Sequence, residues 1–302
     1  MQLKFHTLDV FTSQRFGGNP LGVVLGADGL TTAEMQTIAR EFNLAETIFV
    51  MAPKDRNNTA SVRIFFPTAE IPFAGHPTVG CAILLAETLK GLGQTFEIEI
   101  RLEEMAGLVP VTVRNTGGVS WAQFTAPVIP YPVLTPLPSI EAVASALRLA
   151  PFDICPAGQG LGLHEGGPRF LYVPVASREA LARVRAREPE WSGILNGLGA
   201  VGGYLYATGG DDPATAYRTR MLNPAGEGAE DPATGSAAAL FASQLHQSLG
   251  FADGTHAFRL EQGYEMGRPS ELEMEADVTG GKLVAVRVAG QAVRVMEGYL
   301  TL

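Results

Sequence analysis

Short apolar stretches of strand length recur along this chain, and at two places they give way to longer runs that are apolar on every side. The runs are Cys81-Ala82-Ile83-Leu84-Leu85-Ala86 and Ala237-Ala238-Ala239-Leu240-Phe241-Ala242. A helix without a polar face has to be wrapped on all sides. The pattern therefore predicts buried helices over 77–90 and 232–249, each among strands. In the first half, strands are expected over 3–11, 21–25, 48–51, 59–66, 94–102 and 108–114, with a further one through Phe124. Thr31-Thr32-Ala33-Glu34 reads as a capping box, and Met35, Ile38, Ala39 and Phe42 follow it at helical spacing. Gly17-Gly18-Asn19-Pro20 and Asn115-Thr116-Gly117-Gly118 read as turns. In the second half, Ser139 caps a helix over 140–149, and strands are expected over 170–175, 201–207, 215–222, 256–261, 271–278, 283–289 and 292–299.

The approaches to the two apolar runs match. Gly75-His76-Pro77-Thr78-Val79-Gly80-Cys81-Ala82 leads into the first, and Glu230-Asp231-Pro232-Ala233-Thr234-Gly235-Ser236-Ala237-Ala238 into the second. Each combines Pro, Thr and small residues, which is how a buried helix starts when Pro takes its first position. Upstream, Val62-Arg63-Ile64-Phe65-Phe66-Pro67 precedes Glu70, and Tyr217-Arg218-Thr219-Arg220-Met221-Leu222-Asn223-Pro224 precedes Glu227. Strand, turn, acidic loop and helix thus recur in one order, as in an internal duplication. Between the copies, residues 127–138 hold five prolines and read as an extended linker. The expected domains are 1–126 and 139–302, with the last strand packing back on the first half. The fold class is α+β: two pseudo-symmetric halves, each a curled, mostly antiparallel sheet around a central buried helix. Unpaired N–H groups at a helix start attract anions. Two matched starts facing one cleft would grip a small carboxylate.

Composition narrows the function classes. The chain has 302 residues, 46% hydrophobic and 18% charged, with a net charge of −9. That is ample for two cores, and the absence of a basic patch argues against nucleic acid. No uncharged stretch reaches the length of a membrane span, and the opening Met1-Gln2-Leu3-Lys4-Phe5-His6 does not read as a signal peptide. A cytoplasmic enzyme or binding protein is the default. Cys81 and Cys155 match no metal or redox spacing, and Cys81 reads as core packing.

Three polar groups could carry chemistry. Glu46 lies in a short non-helical segment between apolar Leu44 and Ile48, where burial would raise its pKa toward the range of a general acid/base. The alternative is an exposed turn residue. His76 precedes Pro77, is biased away from helical backbone and is free to face a cleft, or else caps the helix. Asp231 is a second polar group at a helix start, or else an N-cap. His6, His164, His246 and His256 have no comparable setting and read as structural or exposed.

Asp9-Val10-Phe11, Gly18-Asn19-Pro20, Asn43-Leu44-Ala45-Glu46-Thr47, Arg63-Ile64-Phe65, Phe73-Ala74-Gly75-His76-Pro77-Thr78, Glu230-Asp231-Pro232-Ala233-Thr234-Gly235-Ser236-Ala237, Gln262-Gly263 and Met266-Gly267-Arg268-Pro269-Ser270 occur in order over nearly the whole chain. As a set they resemble the phenazine-biosynthesis isomerase family. The resemblance implies the diaminopimelate-epimerase-like fold, with a site between the halves. It implies an isomerase that moves a proton within the ring of trans-2,3-dihydro-3-hydroxyanthranilate, without metal or organic cofactor. It places the catalytic glutamate on Glu46, the histidine on His76 and the aspartate on Asp231. Gly75 and Gly235 would give backbone donors to a substrate carboxylate, with Ser236 and Thr78 as further substrate contacts. Ala45 stands where many members carry Ser, which bears on substrate more than on chemistry. A homodimer is implied as well.

Two other functions compete. A diaminopimelate-epimerase or proline-racemase relative would need two facing thiols, and Ala74 and Pro232 stand in their approximate places. A non-catalytic binder of small acids would keep the same residues and lose turnover.

Overall fold

The computed structural model describes residues 2–156, 158–224 and 230–302; Glu227, expected in the second acidic loop, lies outside the described residues. Contacts divide the chain into two units, Met1–Pro127 with Val288–Leu302, and Val128–Arg287. The chain re-enters the first unit within its final strand.

Unit 1 contains β1 (Gln2–Val10), β2 (Asn19–Leu25), α1 (Thr32–Phe42), β3 (Glu46–Met51), β4 (Ala60–Phe65), β5 (Glu70–Ile71), α2 (Gly75–Lys90), β6 (Phe96–Glu104), β7 (Gly107–Thr116) and β8 (Val119–Thr125). β1 is antiparallel to β2, β2 parallel to β3, and β3 antiparallel to β4. β4 is parallel to β6, and β6–β7 and β7–β8 are antiparallel hairpins. The final strand pairs with both β8 and β1, which closes the ring. Closure removes every free edge from a mixed sheet.

Helix α2 packs against β1, β2, β3, β6, β7 and β8 of this unit, and its side chains are buried on all faces. Small residues permit the close approach: a Cβ on Gly80 would fall 2.6 Å from Leu21 and 2.7 Å from Val10. Helix α1 has the opposite character. Its capping box forms, with Thr31 accepting from Glu34 N–H and the Glu34 carboxylate accepting from Thr31. Its single apolar stripe of Met35, Ile38 and Ala39 packs with Val24, Phe49 and Phe65. The β7–β8 turn has Gly117 and Gly118 at φ 64° and 84°, the left-handed pair a tight hairpin needs.

Unit 2 contains β9 (Tyr131–Pro132), α3 (Ile140–Leu147), β10 (Gly162–Glu165), β11 (Arg169–Pro174), α4 (Arg178–Arg183), α5 (Glu190–Leu198), β12 (Gly202–Thr208), β13 (Tyr217–Leu222), β14 (Glu230–Asp231), α6 (Gly235–Leu249), β15 (Gly254–Gln262) and β16 (Ser270–Thr279). β17 (Lys282–Thr301) then continues into unit 1. Its 20 residues form one strand, where the sequence suggested two. β9 lies inside the proline-rich stretch and pairs with β10. Helices α4 and α5 were not expected from the sequence; α3, α4 and α5 bury Val143, Leu147, Leu181, Trp191 and Leu195 against Leu171, Val173 and Leu205. The opposite face of β11 and β12 turns Tyr172, Tyr204 and Tyr206 onto Phe241 of α6.

The pairings of unit 2 follow the succession seen in unit 1. β10 is antiparallel to β11, β11 parallel to β12, β12 antiparallel to β13, β13 parallel to β15, and β15 antiparallel to β16. Short β5 pairs with β4, and short β14 with β13. A two-point ion pair ties each short strand down, Arg63 to Glu70 and Arg220 to Glu230. Glu103 accepts from the N–H groups of Lys54 and Asp55, and Glu261 from those of Asp211 and Asp212. The helix starts differ from expectation by two and three residues: α2 begins at Gly75 and α6 at Gly235.

Candidate functional site

Glu46 and His76 meet in unit 1. Asn43, at φ 50°, ends α1 in the left-handed conformation and turns the chain into β3, whose first residue is Glu46. Glu46 pairs with Leu21 across the sheet and is only 7% exposed, so it is not an exposed turn residue. His76 is the second residue of α2 and is 3% exposed. It therefore sits inside the helix rather than in extended backbone before it. Pro77 falls third in the helix, not first; the whole first turn lacks N–H acceptors, so a proline is accepted there too.

The imidazole Nε2 of His76 lies 3.1 Å from Glu46 Oε2, near in distance but outside hydrogen-bond alignment. Contacts of this kind in ligand-free active sites often tighten only around substrate. Burial lowers the His76 pKa from 6.5 to about 3, so the ring is neutral. A neutral ring with its proton on Nε2 offers Glu46 an N–H without adding charge.

Thr78 has a different place from the one expected. It is wholly buried, and its hydroxyl lies 2.7 Å from Ala74 O and 2.6 Å from Glu104 Oε1, which leaves it no proton for a ligand. Glu104, the last residue of β6, was missed by sequence reasoning. Its signal was alternation: Ile98, Ile100, Leu102 and Glu104 share one face of the strand, and this carboxyl falls on an apolar row. Burial pushes its pKa up to about 8, outweighing the lowering effect of the contact with Thr78.

In unit 2, Asp231 lies in β14 opposite Met221 and is half-buried. It is not the N-cap of α6; that position belongs to Thr234, whose hydroxyl donates to Asp231 Oδ2. Gln262 locks the same turn. Its Oε1 accepts from Thr234 N–H at 3.2 Å, and its Nε2 donates to Asp231 O at 2.8 Å. Parallel pairing of β15 with β13 delivers Gln262, and Gly263 at φ 76° then passes so near that a Cβ would sit 2.6 Å from Pro232 O. Gly235 and Ser236 are the first two residues of α6, the glycine buried and the serine half-buried. Sequence reasoning placed no role on Thr234, and used Gln262 only as a motif residue.

An open cavity of about 680 Å³ in unit 2, lined by Glu141, Ser145, Arg148 and Arg187 among others, contains none of the expected site residues. Among the described residues, no three His, Cys, Asp or Glu side chains group as a metal site. Among them, no helix is long and apolar enough to cross a membrane.

The buried ionisable groups set a pH dependence of stability. His76 and His164 have folded pKa values lowered to about 3 and about 4, so their stabilisation is present above 6.5 and is lost as pH falls below it. Glu104 has the opposite sign: with a folded value raised to about 8, its stabilisation is present below 4.5 and is lost as pH rises through 8. With His6 also lowered by burial, three histidines outweigh one glutamate between pH 4.5 and 6.5, and the glutamate acts alone from 6.5 to 8. Thermal stability should therefore peak near pH 6.5. A melting temperature still rising from pH 7 to 9 would contradict this assignment.

The comparisons agree with the motifs. The family model described as phenazine biosynthesis-like protein, PhzC-PhzF, matches residues 8–298. An uncharacterized isomerase of Mesorhizobium japonicum is 40% identical, with 99% of each chain covered. The trans-2,3-dihydro-3-hydroxyanthranilate isomerase of Pseudomonas aeruginosa is 30% identical, with 98% of each chain covered. Among solved structures, a Bacillus anthracis phenazine biosynthesis protein of the PhzF family superposes with TM-score 0.88 at 25% identity over the full length of both chains. A hydroxyproline epimerase from Agrobacterium vitis shares the fold alone, with TM-score 0.66 at 15% identity over 99% of this chain and 91% of that one. With nearly its whole length matched, the chain belongs to the phenazine biosynthesis-like PhzC-PhzF family.

Proposed function

We propose that the protein is a proton-transferring isomerase of a small carboxylate-bearing substrate, with Glu46 as its acid/base. The carrying observation is the buried Glu46 carboxyl beside a neutral His76 imidazole at 3.1 Å. Glu46 as carboxylate takes a proton from a carbon next to an activating group. The electron pair left on carbon moves into the adjoining conjugated system. Glu46, now the acid, returns the proton at another carbon, and the carboxylate is restored. The cycle needs no metal or organic cofactor, because one side chain both takes and returns the proton.

His76 orients Glu46 without competing for its charge. Asp231, held by Thr234 and Gln262, binds polar groups of the substrate, with Ser236 beside it in sequence. Gly75 and Gly235 open the two buried helices, whose first N–H groups have no acceptor within the helix; these donors suit a carboxylate and the charge that develops during reaction. The two units act as pseudo-symmetric halves, each a curled sheet around its buried helix. The isomerase name of the 30% identical relative supports a substrate of the dihydrohydroxyanthranilate kind. The same family resemblance supports a cytoplasmic homodimer, which sedimentation of the purified protein checks.

The test is deuterium wash-in. In deuterated water an enzyme of this type incorporates solvent deuterium into trans-2,3-dihydro-3-hydroxyanthranilate or a related cyclic acid. Binding without exchange would make the protein a binder of the same fold.

The thiol-dependent epimerase reading has a separate test. Cys81 is wholly buried, and burial with the neighbouring Glu104 pushes its thiol far above the usual range, the reverse of an activated nucleophile. Cys81→Ala and Cys155→Ala should each keep exchange within a few-fold of wild type. A loss on the order of a thousandfold in either folded variant would restore that reading.

A further inference from the structure

We propose that Glu104 is a positioning residue that works as a neutral carboxylic acid: it clamps the first turns of α2 through Thr78 and keeps negative charge away from the start of that helix, where an anionic group of the substrate binds. The proposal rests on the isomerase reading for the identity of that anion.

The proton count at Thr78 carries the inference. Thr78 Oγ1 is 2.7 Å from Ala74 O and 2.6 Å from Glu104 Oε1. A hydroxyl has one proton, and a carbonyl has none. Were Glu104 ionised, one of the two short contacts would join acceptors with no proton between them. With Glu104 protonated, its O–H donates to Thr78 Oγ1, the Thr78 O–H donates to Ala74 O, and both contacts are satisfied. The bond from Thr78 to the carbonyl four residues earlier is ordinary for a threonine in a helix.

The surroundings fit a neutral group. Glu104 is 8% exposed, and its Oε2 has no hydrogen-bond partner. A buried carboxylate oxygen without a donor is far costlier than a carbonyl oxygen in the same place. Among the described residues no cation pairs with it. From α2, the titratable group facing it is the Cys81 thiol, which is itself held protonated. Of the other charged groups on the packed elements, His76 on α2 lies beside Glu46, Glu87 on α2 pairs with Arg294, Arg63 on β4 with Glu70, Arg114 on β7 with Glu97, and Glu103 on β6 holds the 54–58 turn, while Arg101, three residues from Glu104 on β6, falls on the other face of the strand.

Unit 2 gives an independent observation. Ser61 pairs with Glu103 in the β4–β6 ladder, and Arg218 pairs with Glu261 in the β13–β15 ladder. The next residue along is Glu104 in one and Gln262 in the other. Gln262, an amide that never ionises, bridges the approach to α6 through Thr234 and Asp231. Glu104 occupies the corresponding position, and its protonated form has the same donor and acceptor. Ionised, it would place a negative charge beside the helix end that favours anions, and would compete with substrate for that field.

The experiment compares wild type, Glu104→Gln and Glu104→Ala. Infrared difference spectra of wild type against Glu104→Gln should show a protonated-carboxyl band at pH 7 that fades as pH passes about 8. Anthranilate binding by calorimetry should weaken at least tenfold in wild type between pH 7 and 9.5. It should change less than threefold in Glu104→Gln, which keeps the clamp, and Glu104→Ala should bind weakly at both values. Turnover should follow binding, with the alkaline loss in KM rather than kcat. A carboxylate band at pH 7 would overturn the proposal and leave the isomerase reading intact. An equal alkaline loss in Glu104→Gln, or no anthranilate binding by wild type at either pH, would overturn the claim that Glu104 guards an anion site. The infrared arm needs no turnover, so a protein that binds but does not isomerise fails only the functional reading.

Discussion

Glu46→Gln will lose roughly 10²–10⁴-fold of exchange into substrate, the span that general acid–base catalysis supplies, while ligand binding survives. The substitution keeps the shape of the side chain and a carbonyl oxygen toward His76, 3.1 Å away in the wild type. It removes only the ability to take and return a proton. Binding should persist because the proposed carboxylate donors are backbone N–H groups at a helix start, and Glu46 lies in β3. Affinity for an acid should rise slightly, since a buried carboxylate no longer faces an anion. The measurement pairs deuterium incorporation with calorimetry of anthranilate binding. Exchange at the wild-type rate in Glu46→Gln would remove Glu46 as the acid/base and leave Asp231 as the next candidate. Loss of binding together with exchange would instead mean that Glu46 holds substrate rather than reacts with it.

What could be read from the chain follows the range of the forces involved. Helix α1 was legible to the residue, because a capping box and a single apolar stripe are local signals. The two buried helices were legible as runs without a polar face, but not their starts. Pro77 lies within the first turn of α2, whereas Pro232 lies three residues before α6, so the same proline signal means different things in the two places. Helices α4 and α5 escaped because each is short and buries only a few side chains, among them Leu181, Trp191 and Leu195. The β17 strand read as two because Gly290-Gln291 looks like a turn. The Gln291 carbonyl instead accepts from the N–H groups of Phe11 and Thr12, and pairing 280 residues away keeps the segment in one strand. The site shows the same division. Glu46 and His76 were identifiable by type, setting and family resemblance, but their contact depends on the closed ring of unit 1. Alternation along β6 could flag Glu104 as buried, but the partners of Glu104 and Gln262 come from parallel pairing of distant strands, which no local pattern encodes.

Arg220→Ala should be strongly destabilising, at about 3–5 kcal/mol of stability, the cost of breaking a buried pair from one side. Arg220 is 4% exposed and lies on β13. Its Nε and Nη2 donate to the two oxygens of Glu230 at 2.8 and 2.7 Å, and its Nη1 donates to Leu181 O and Val184 O at the end of α4. Truncation leaves the Glu230 carboxylate, only 12% exposed, without its cation and takes one donor from each of the two carbonyls. Lys in its place should recover little, because a point charge cannot satisfy the fork and the two carbonyls together. Arg63 makes the matching two-point pair with Glu70, but the two side chains are 27% and 17% exposed, so Arg63→Ala should cost only about 1 kcal/mol. Urea denaturation of the two variants tests the contrast, and equal losses would contradict it. Folding stabilities are only about 5–15 kcal/mol, so Arg220→Ala would remove a large share of the total. Glu230 is also the residue before Asp231, and the pair anchors β14 against β13. The surviving folded fraction should therefore bind anthranilate more weakly, whereas Arg63→Ala should leave Asp231 in place. Replacing both partners, as Arg220→Met with Glu230→Leu, should restore much of the stability, because no charge is then buried alone.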